Sequence, residues 1–377
     1  MKIGIDSRSI NLHSGTGIGT YTKNLVKEVL TLDKNNKYTL IWTGEMIEEF
    51  NNLNPDFIMS SGKHGRFFEN IYIPEILNSK DIDLYHIPQN GMGLPFGYEN
   101  LNYVVTIHDL IPYIMPQTVG PSYLKRFLRD MPNIIENSSG ILTVSEFSKR
   151  DILRFFKGYP EDKIFVTPLA TSEIYKPLPK DASLKIIQNK FNFDTSYLLY
   201  VGGFSSRKNV KGLIDAFLKA KGSFSKKMKL LIVGSLKDDG LNLFKYVESL
   251  NIDDIIFTGY IEDTVLPTLY SGATAFVYPS YYEGFGLPPL EAMSCKTAVI
   301  TSNVTSIPEV TEDSSILIEP SDILSLSSSI FEIVENESLR LDIAEKGYKR
   351  SLQFSWRQTA NKTISSYNEI YKSLDII

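Results

Sequence analysis

Two glutamates frame the stretch of the sequence whose residue types are best suited to chemistry. Glu283 and Glu291 stand on either side of a turn formed by Gly284, Phe285, Gly286 and Leu287. Glycines let a backbone approach a ligand closely, and the amide groups at a helix start attract anions. An anion held by this turn would have a carboxylate on each side, and each carboxylate could accept hydrogen bonds from a hydroxyl-bearing ring. We interpret the segment as a nucleotide-sugar site; the alternative is a structural corner with two solvated acids.

A predicted strand and a predicted helix would hold this turn in place. Residues 273–279 form a continuous apolar run before the turn, which is typical of a buried parallel strand. Pro288 and Pro289 follow the turn, and proline near the first helical position predicts a helix start. The turn therefore lies at the carboxyl end of a strand, where parallel α/β sheets bind their ligands.

A second strand–turn–helix junction carries two adjacent cations. Gly203 follows the predicted strand 197–201, and Arg207 and Lys208 come shortly after it. We expect the side chain of Asn209 to cap the helix that begins there. Arginine offers forked hydrogen bonds and lysine a point charge, so this loop would suit a diphosphate. The alternative is a solvated pair of surface cations.

A glycine-rich loop follows the first predicted strand of the chain. The loop consists of Gly15, Thr16, Gly17, Ile18 and Gly19. A dinucleotide site with such a loop also requires an acidic residue at the end of the second strand, and the predicted strand 38–42 ends without one. We therefore expect the loop to approach a diphosphate or an acceptor substrate, with a structural tight turn as the alternative.

One histidine also follows a predicted strand. His108 comes directly after residues 103–107, so its ring could hydrogen-bond a sugar hydroxyl or a nearby charge. The alternative is a loop histidine whose partners are all local. The remaining histidines, His13, His64 and His86, do not have the spacing of metal ligands, so we expect no metal site.

Charge and cysteine content exclude some classes of protein. The 377 residues include 39 Lys and Arg against 44 Asp and Glu, which gives a net charge of −5 at pH 7. Proteins that bind nucleic acid usually carry a basic face, so we expect no nucleic-acid partner. The single cysteine, Cys295, excludes a disulfide framework and fits a reducing compartment.

Membrane insertion is not indicated by the apolar pattern. No apolar run reaches the roughly 20 residues of a membrane helix, and the first strand begins at once without a signal-peptide layout. Residues 123–129 mix aromatic side chains with cations, which could dock on anionic lipid, although a plain surface helix is the alternative. We expect a cytoplasmic protein that is at most peripheral at the inner face of a membrane.

Short apolar runs alternate with helical patterns along the whole chain. The predicted strands form two groups: 2–5, 38–42, 84–87, 103–107, 140–144 and 164–167, then 197–201, 229–233, 255–258, 275–278, 298–301 and 315–318. A segment rich in proline and charge, 175–181, separates the groups as a linker would. We therefore predict an α/β protein of two doubly wound, Rossmann-like domains that face each other across a cleft.

These motifs resemble glycosyltransferase family 4, whose members are retaining enzymes of the GT-B fold. The resemblance spans essentially the whole chain and rests mainly on the spacing of Glu283 and Glu291 and on the loop with Arg207 and Lys208. It is closest to bacterial mannosyltransferases and rhamnosyltransferases that build surface polysaccharides. In this family the last helix returns to the first domain. The resemblance thus implies an acceptor-side domain of residues 1–174 plus 357–377 and a donor-binding domain of residues 175–356.

The resemblance also implies a role for each candidate residue. Arg207 and Lys208 would hold the donor diphosphate, with Gly203 and the backbone of the turn after Glu283 beside them. Glu291 would bind the nucleotide ribose, and Glu283 would bind hydroxyls of the transferred sugar. His108 would lie near the reacting sugar.

The implied activity is the transfer of a hexose with retention of configuration and without a metal or another cofactor. The donor would be a nucleoside-diphosphate sugar, and the expected one is GDP-mannose. The acceptor would be a saccharide or a lipid-linked saccharide. Two alternatives stay open: a GT-B epimerase that acts without an acceptor, and a non-catalytic subunit that binds a nucleotide-sugar. The residues carry no signal for an oligomeric state.

Overall fold

Strands and helices alternate from the first residues onward and build two separate units. The computed structural model describes residues 1–61, 63, 65–95, 101–237 and 239–374. Unit 1 comprises Met1–Leu169 and Ser355–Ile377, and unit 2 comprises Ala170–Phe354. The predicted domain boundaries lie at 174/175 and 356/357, whereas the units divide the chain at 169/170 and 354/355.

The strands of the described residues belong to one sheet in each unit. Unit 1 contains β1 (Lys2–Asp6), β2 (Lys37–Thr43), β3 (Asp56–Ser60), β4 (Leu84–Ile87), β5 (Asn102–Ile107), β6 (Ser138–Thr143) and β7 (Ile164–Val166). Unit 2 contains β8 (Ser196–Val201), β9 (Met228–Val233), β10 (Ile255–Gly259), β11 (Ala275–Tyr278), β12 (Val299–Ser302) and β13 (Ile316–Ile318). Every predicted strand overlaps one of these. β3 has no sequence signal because Ile58 is the one fully buried side chain in this edge strand.

Helices connect most of the strands. They are α1 (Ser9–Leu12), α2 (Gly17–Leu32), α3 (Glu48–Asn51), α4 (Gly65–Phe67), α5 (Ile73–Ser79), α6 (Ile111–Ile114), α7 (Pro121–Glu136), α8 (Glu146–Phe155), α9 (Lys180–Phe191), α10 (Val210–Lys221), α11 (Asp239–Ser249), α12 (Leu266–Gly272), α13 (Leu287–Ser294), α14 (Ile307–Thr311), α15 (Ile323–Glu335), α16 (Glu337–Ser351) and α17 (Trp356–Leu374). Short 3₁₀ helices occupy Pro116–Thr118, Glu161–Lys163 and Ser206–Lys208, and a π-helical turn occupies Phe68–Tyr72. Within the described ranges, no helix has both the length and the apolar composition that a membrane crossing requires.

The unit 1 sheet is parallel throughout, with the strand order β3-β2-β1-β4-β5-β6-β7. The order reverses at β1, which has β2 on one side and β4 on the other. In doubly wound sheets a ligand binds outside the carboxyl ends of the strands at such a reversal. The segments that follow β1 and β4 are therefore the ones that border the expected crevice.

The last helix, α17, packs within unit 1 through a buried row of polar side chains. Tyr367 of α17 hydrogen-bonds Nδ1 of His86 at 2.7 Å, and Nε2 of His86 meets Thr106 Oγ1 at 2.8 Å. Thr106 Oγ1 is in turn 3.0 Å from the hydroxyl of Tyr21 on α2. All four side chains are buried, so this row joins β4, β5, α2 and α17 inside one core.

The unit 2 sheet repeats this arrangement, with the parallel strand order β10-β9-β8-β11-β12-β13. Its reversal lies at β8, between β9 and β11. A row of buried aromatic rings lies in the core there: Tyr200 stacks on Tyr278 with centroids 5.8 Å apart, and Tyr278 stacks on Phe276 at 5.8 Å. Tyr270 of α12 meets Phe276 edge-on at 5.2 Å. The carboxyl ends of β8 and β11 are thus supported by packed aromatic rings.

Candidate active site

Arg207 and Lys208 lie on the 3₁₀ helix that follows β8, and Gly203 lies in the loop before it. Asn209 ends that helix in the left-handed conformation, with φ of 54°. The predicted side-chain cap of α10 by Asn209 is wrong, because no such hydrogen bond forms. Its Nδ2 instead donates to the carbonyl of Pro320 at 2.6 Å, which ties the basic loop to the chain after β13.

Both cations pair with Glu283. Nζ of Lys208 is 2.7 Å from Oε1 of Glu283, and Nη1 of Arg207 is 3.1 Å from the same oxygen. Nη1 of Arg207 also donates to the carbonyl of Tyr282 at 2.6 Å. Each of the three charged side chains is less than 15% exposed, at 14%, 14% and 12%. The structure therefore brings together the charged residues of two motifs that the sequence analysis assigned separately.

The balance of charges keeps Glu283 ionised. Burial by itself raises the pKa of this carboxyl, but Lys208 and then Arg207 outweigh it and lower the pKa below its ordinary value. The hydrogen bonds that described side chains donate to the carboxyl all reach Oε1. Oε2 is therefore the oxygen that can accept a hydrogen bond from a substrate hydroxyl.

Two hydroxyl groups that are absent from the predicted site complete the cluster. Ser280 Oγ donates to Glu283 Oε1 at 2.6 Å, and the Tyr278 hydroxyl donates to the same oxygen at 3.0 Å. Lys208 Nζ donates to the Tyr278 hydroxyl at 2.5 Å and lies 5.1 Å from the centre of its ring. The sequence places Tyr278 at the end of a buried strand, but the partners of its hydroxyl depend on how the strands are arranged.

The turn after Glu283 requires glycine at one position. Gly286 has φ of 122°, and a Cβ atom there would lie 2.7 Å from Cδ1 of Ile307. α13 begins at Leu287, the last residue of the predicted turn, and Pro288 and Pro289 lie near the first helical position as predicted. Because proline has no backbone N–H, the amides that could face an anion are those of the turn itself rather than those of the helix behind it.

The other two residues of the turn are buried. The Phe285 ring packs edge-on against Phe354 with centroids 5.8 Å apart, so only the backbone of Phe285 is suited to contact a donor. Gly284 is buried beside it. Ser306 Oγ lies 2.7 Å from the carbonyl of Phe285 and 2.9 Å from that of Glu283, which holds the turn closed.

Glu291 lies on α13 among hydroxyl groups of its own. The Tyr270 hydroxyl donates to its Oε2 at 2.9 Å, and Tyr175 also hydrogen-bonds the carboxyl. Burial, reinforced by the charge of Asp263, raises the pKa of Glu291 to about 7. The carboxyl therefore changes its charge near neutral pH, and its ionised form is the one that accepts two hydrogen bonds from a pair of hydroxyls.

The glycine loop of unit 1 lies at the start of α2 and is made of Gly15, Thr16, Gly17, Ile18 and Gly19. Thr16 caps α2 by accepting from the N–H of Gly19 at 3.3 Å, and Gly15 has φ of 76°. A Cβ atom on Gly19 would lie 2.2 Å from the carbonyl oxygen of His13. The local backbone structure thus explains why positions 15 and 19 are glycine. Residues 14–17 are exposed, so a ligand of unit 1 could contact them.

His108 is a neutral, buried side chain at the carboxyl end of β5. Its Nε2 donates to the carbonyl of Pro88 at 2.9 Å, and its ring meets Tyr21 edge-on at 4.6 Å. Burial lowers the pKa of the His108 imidazole to about 4. Since the carbonyl can only accept, Nε2 carries the proton, and Nδ1 is the nitrogen that could accept from a substrate hydroxyl.

The positive charge of the unit 2 site comes from Arg207 and Lys208. Across the described part of the chain, no group of three or more His, Cys, Asp and Glu side chains could hold a metal ion. His64, which has no metal-ligand spacing in the sequence, lies outside the described residues.

Comparison with known proteins decides the family. Residues 183–350 match the family model described as glycosyl transferases group 1. The chain is also 31% identical over 370 residues to the O-antigen chain mannosyltransferase B of Escherichia coli, covering 93% of this chain and 96% of that protein. The chain belongs to the group 1 glycosyltransferases. The predicted enzyme class is thereby confirmed.

A second relative and a solved structure extend the likeness of this glycosyltransferase. It is 26% identical over 275 residues to the serotype-specific mannosyltransferase WbdA of Escherichia coli, covering 72% of this chain but 34% of that protein, and so spans about a third of its length. Anabaena HepE in complex with UDP and glucose superposes with a TM-score of 0.76 at 15% identity, covering 98% of this chain and 100% of that chain. Together with the two parallel sheets, this match confirms the predicted GT-B fold class.

Proposed function

We propose that this glycosyltransferase transfers mannose from GDP-mannose to a saccharide or lipid-linked saccharide during the synthesis of a surface polysaccharide. The observation that carries the proposal is the buried cluster of Arg207, Lys208 and Glu283 in unit 2, where two cations share one carboxylate oxygen. The relatives support the choice of sugar, since two of them are named mannosyltransferases and one of these is named for the O-antigen chain.

The two cations suit the leaving group of such a reaction. When the bond between the anomeric carbon and the diphosphate oxygen breaks, negative charge develops on the diphosphate. Arg207 and Lys208 would stabilise this charge more strongly in the transition state than in the bound donor, which is how fixed charges accelerate a reaction. Oε1 of Glu283 would stay paired with the two cations, and Oε2 would accept a hydrogen bond from a hydroxyl of the transferred sugar.

The proposed stereochemistry follows the family resemblance. The acceptor hydroxyl would attack the anomeric carbon on the face from which the diphosphate leaves, and the departing phosphate would take the acceptor's proton. We propose that Arg207 and Lys208 supply the positive charge without a metal ion. Transfer should then persist in excess EDTA, and activity that disappears with EDTA and returns with manganese or magnesium would contradict this.

The remaining candidate residues would bind other parts of the substrates. Glu291 would accept from the two ribose hydroxyls, and its pKa near 7 makes that contact sensitive to pH. The amides of the turn from Gly284 to Leu287 would face the donor. His108 would accept a hydrogen bond from a sugar hydroxyl through Nδ1, and the loop 15–19, whose residues 15–17 are exposed, would contact the acceptor or the diphosphate.

A donor panel tests the proposal. We expect product with GDP-mannose and a saccharide acceptor, little or none with UDP-glucose, and an increase in melting temperature with GDP-mannose alone, because a specific donor stabilises the folded state. Product with a different nucleotide-sugar would replace the proposed donor. Interconversion of donor epimers without an acceptor would identify an epimerase, and stabilisation by a donor without any product would identify a binding subunit.

A further inference from the structure

Unit 1 contains a polar cavity that is separate from the candidate site residues. Its volume is about 630 Å³, which is within the usual range for small-molecule sites. The walls include Glu69 from the π-helical turn, Gly93 from the segment after β4 and the first turns of α7. A site of this size has room for a sugar together with a phosphate group.

The cavity lies beside the point where the strand order of unit 1 reverses. Glu69, in the cavity wall, is 3.7 Å from Nη1 of Arg8, and Arg8 pairs at 2.7 Å with Asp6, the last residue of β1. Gln89, just beyond β4, donates to the same Asp6 carboxylate at 2.8 Å. The carboxyl ends of β1 and β4 therefore lie next to each other behind this wall. Doubly wound sheets bind their ligands at this position.

Helix α7 forms the basic wall of the cavity. Ser122, Lys125, Arg126 and Arg129 all line it. Their spacing of three, four and seven positions places them on one face of the helix. The cations of segment 123–129 are exposed side chains that line one wall of this open cavity.

Among the described residues that line the cavity, cations outnumber carboxylates. Arg126 is 3.8 Å from Glu69 and 3.5 Å from Asp130, and Arg129 donates Nε and Nη2 to Asp130 at 2.6 and 3.0 Å. Lys125 forms no ion pair with any described residue. Three cations against two carboxylates leave an excess of one positive charge in a chain whose net charge is −5. This excess favours an anionic ligand.

Two buried polar atoms close to the same wall have no hydrogen-bond partner among the described residues. They are the Tyr85 hydroxyl and Oε1 of Gln89. Burial and the Asp6 carboxylate raise the pKa of Tyr85 well above its ordinary value, so this hydroxyl stays protonated and can donate. Neither residue lines the cavity, so both atoms lie behind its wall rather than in contact with a ligand there.

We propose that this cavity binds the phosphate-bearing part of the acceptor, with a phosphate or diphosphate group against Lys125, Arg126 and Arg129. The inference rests on the proposed function, since only a transferase has an acceptor. The saccharide next to the phosphate would extend toward Glu69. The same phosphate chemistry is available from a soluble sugar phosphate and from a lipid headgroup.

Calorimetric titration of the full chain with inorganic pyrophosphate tests this site. We expect two classes of binding, one in unit 1 and one at the donor cations of unit 2. Lys125→Glu reverses a charge, and Ser122→Trp fills the cavity without changing charge; each should weaken the first class at least tenfold. Arg207→Ala should remove the second class. Lys157→Glu, at an exposed lysine of unit 1 outside the cavity, is the matched control and should retain both.

Two outcomes of the titration overturn the inference. One is wild-type binding of pyrophosphate by both Lys125→Glu and Ser122→Trp. The other is the loss of all pyrophosphate binding in Arg207→Ala. This result would show that pyrophosphate does not bind in the cavity, while the proposed function would stand. Failure of the proposed function would appear elsewhere, as the absence of transfer from every donor.

A competition experiment distinguishes the two sources of phosphate. Displacement of pyrophosphate by mannose 1-phosphate indicates a soluble acceptor. Sedimentation with vesicles of phosphatidylcholine and phosphatidylglycerol, but not of phosphatidylcholine alone, indicates a lipid headgroup if Lys125→Glu abolishes it. If neither probe competes with pyrophosphate, the cavity binds an inorganic anion only and the inference is wrong.

Discussion

The Glu283 carboxylate holds two cations with Oε1, while no described side chain donates a hydrogen bond to its Oε2. Such a buried cluster is stable because its charges compensate one another; removing one partner leaves another charge buried without compensation. Glu283 therefore offsets one of the two positive charges of Arg207 and Lys208, and the cluster keeps a net charge of +1 before any donor binds. A diphosphate would add a second anion to groups that are already oriented, which is the preorganisation that electrostatic catalysis requires.

The first prediction concerns these two cations. Arg207→Ala or Lys208→Ala should lower turnover by roughly a hundredfold or more, because each removes a charge that stabilises the leaving group. Steady-state kinetics measures the effect, and circular dichroism verifies the fold. Lys211→Ala, at a lysine whose side chain is 62% exposed on α10, should leave turnover unchanged. Near-wild-type turnover in both cluster variants would refute the assignment.

The second prediction separates the two glutamates. Glu283→Gln should mainly lower turnover, because the transferred sugar changes charge and shape during the reaction. Glu291→Gln should mainly raise the donor KM, because ribose is held alike in the ground and transition states. The reverse pattern, measured with varied donor at saturating acceptor, would exchange the two roles.

The third prediction is a pH dependence that belongs to Glu291. Its pKa of about 7 lies above the ordinary value, so the carboxyl becomes protonated as pH falls below about 7 and loses its capacity to accept from ribose. The donor KM should therefore decrease as pH rises from about 6 to about 8. Glu283, with its lowered pKa, and His108, with a pKa of about 4, keep their charges over this range. The Glu291→Gln variant should show no such trend.

At the scale of elements, three buried tyrosines from β8, β11 and α12 each support a different part of the proposed donor site. The hydroxyl of Tyr200 donates to the carbonyl of Gly203 at 2.6 Å, that of Tyr278 reaches the charged cluster, and that of Tyr270 reaches Glu291. Their rings pack in one row through Phe276. The spacing between the two ends of the site is therefore set by strands and rings rather than by loops.

The fourth prediction tests one hydroxyl of this row. Tyr278→Phe keeps the stacked ring but removes the oxygen that bridges Lys208 and Glu283. Turnover should fall about tenfold, the effect of losing one hydrogen bond to a charged group, with little change in the donor KM. Tyr281→Phe, at a partly exposed neighbour in the same loop, is the matched control. Equal turnover in both variants would show that Tyr278 contributes packing alone.

At the scale of the whole molecule, each unit has its own core, and α17 completes the core of unit 1. The buried row from Tyr367 through His86 and Thr106 to Tyr21 shows how a helix from the end of the chain is fastened to the first strands. Burial lowers the pKa of His86 to about 3, so the folded unit keeps this imidazole neutral. The stabilisation of the folded state by this neutral imidazole is complete above the ordinary histidine pKa of about 6.5. It is lost progressively as pH falls toward 3.

The fifth prediction uses this row. Tyr367→Phe leaves His86 Nδ1 buried without a partner and should lower the free energy of unfolding of unit 1 by about 1–3 kcal/mol. Trp42 and Trp356 are the only tryptophans of the chain, and both belong to unit 1, so tryptophan fluorescence during urea unfolding follows this unit alone. Tyr260→Phe, at a residue of unit 2 that is 67% exposed, should leave the transition unchanged.

The sequence by itself determined the class of fold and the positions of most elements. Strands buried on both faces of a parallel sheet appear as continuous apolar runs, and proline and glycine mark where they turn into helices. This is why β11, the turn at Gly286 and the start of α13 could be read directly. The exposed edge strand β3 could not, because it lacks a buried face, and the same local reasoning misassigned the cap at Asn209, whose side chain bonds a distant carbonyl.

Only the tertiary structure decided which side chains meet. Lys208 and Glu283 are 75 positions apart, and they touch because β8 and β11 are neighbours in the sheet. The part played by Tyr278 follows from that pairing, and no local pattern carries it. The shifted pKa values of Glu291 and His108 likewise depend on burial among residues distant in the chain. Short-range patterns encode elements, whereas the charge state and partners of a side chain depend on its surroundings in the folded protein.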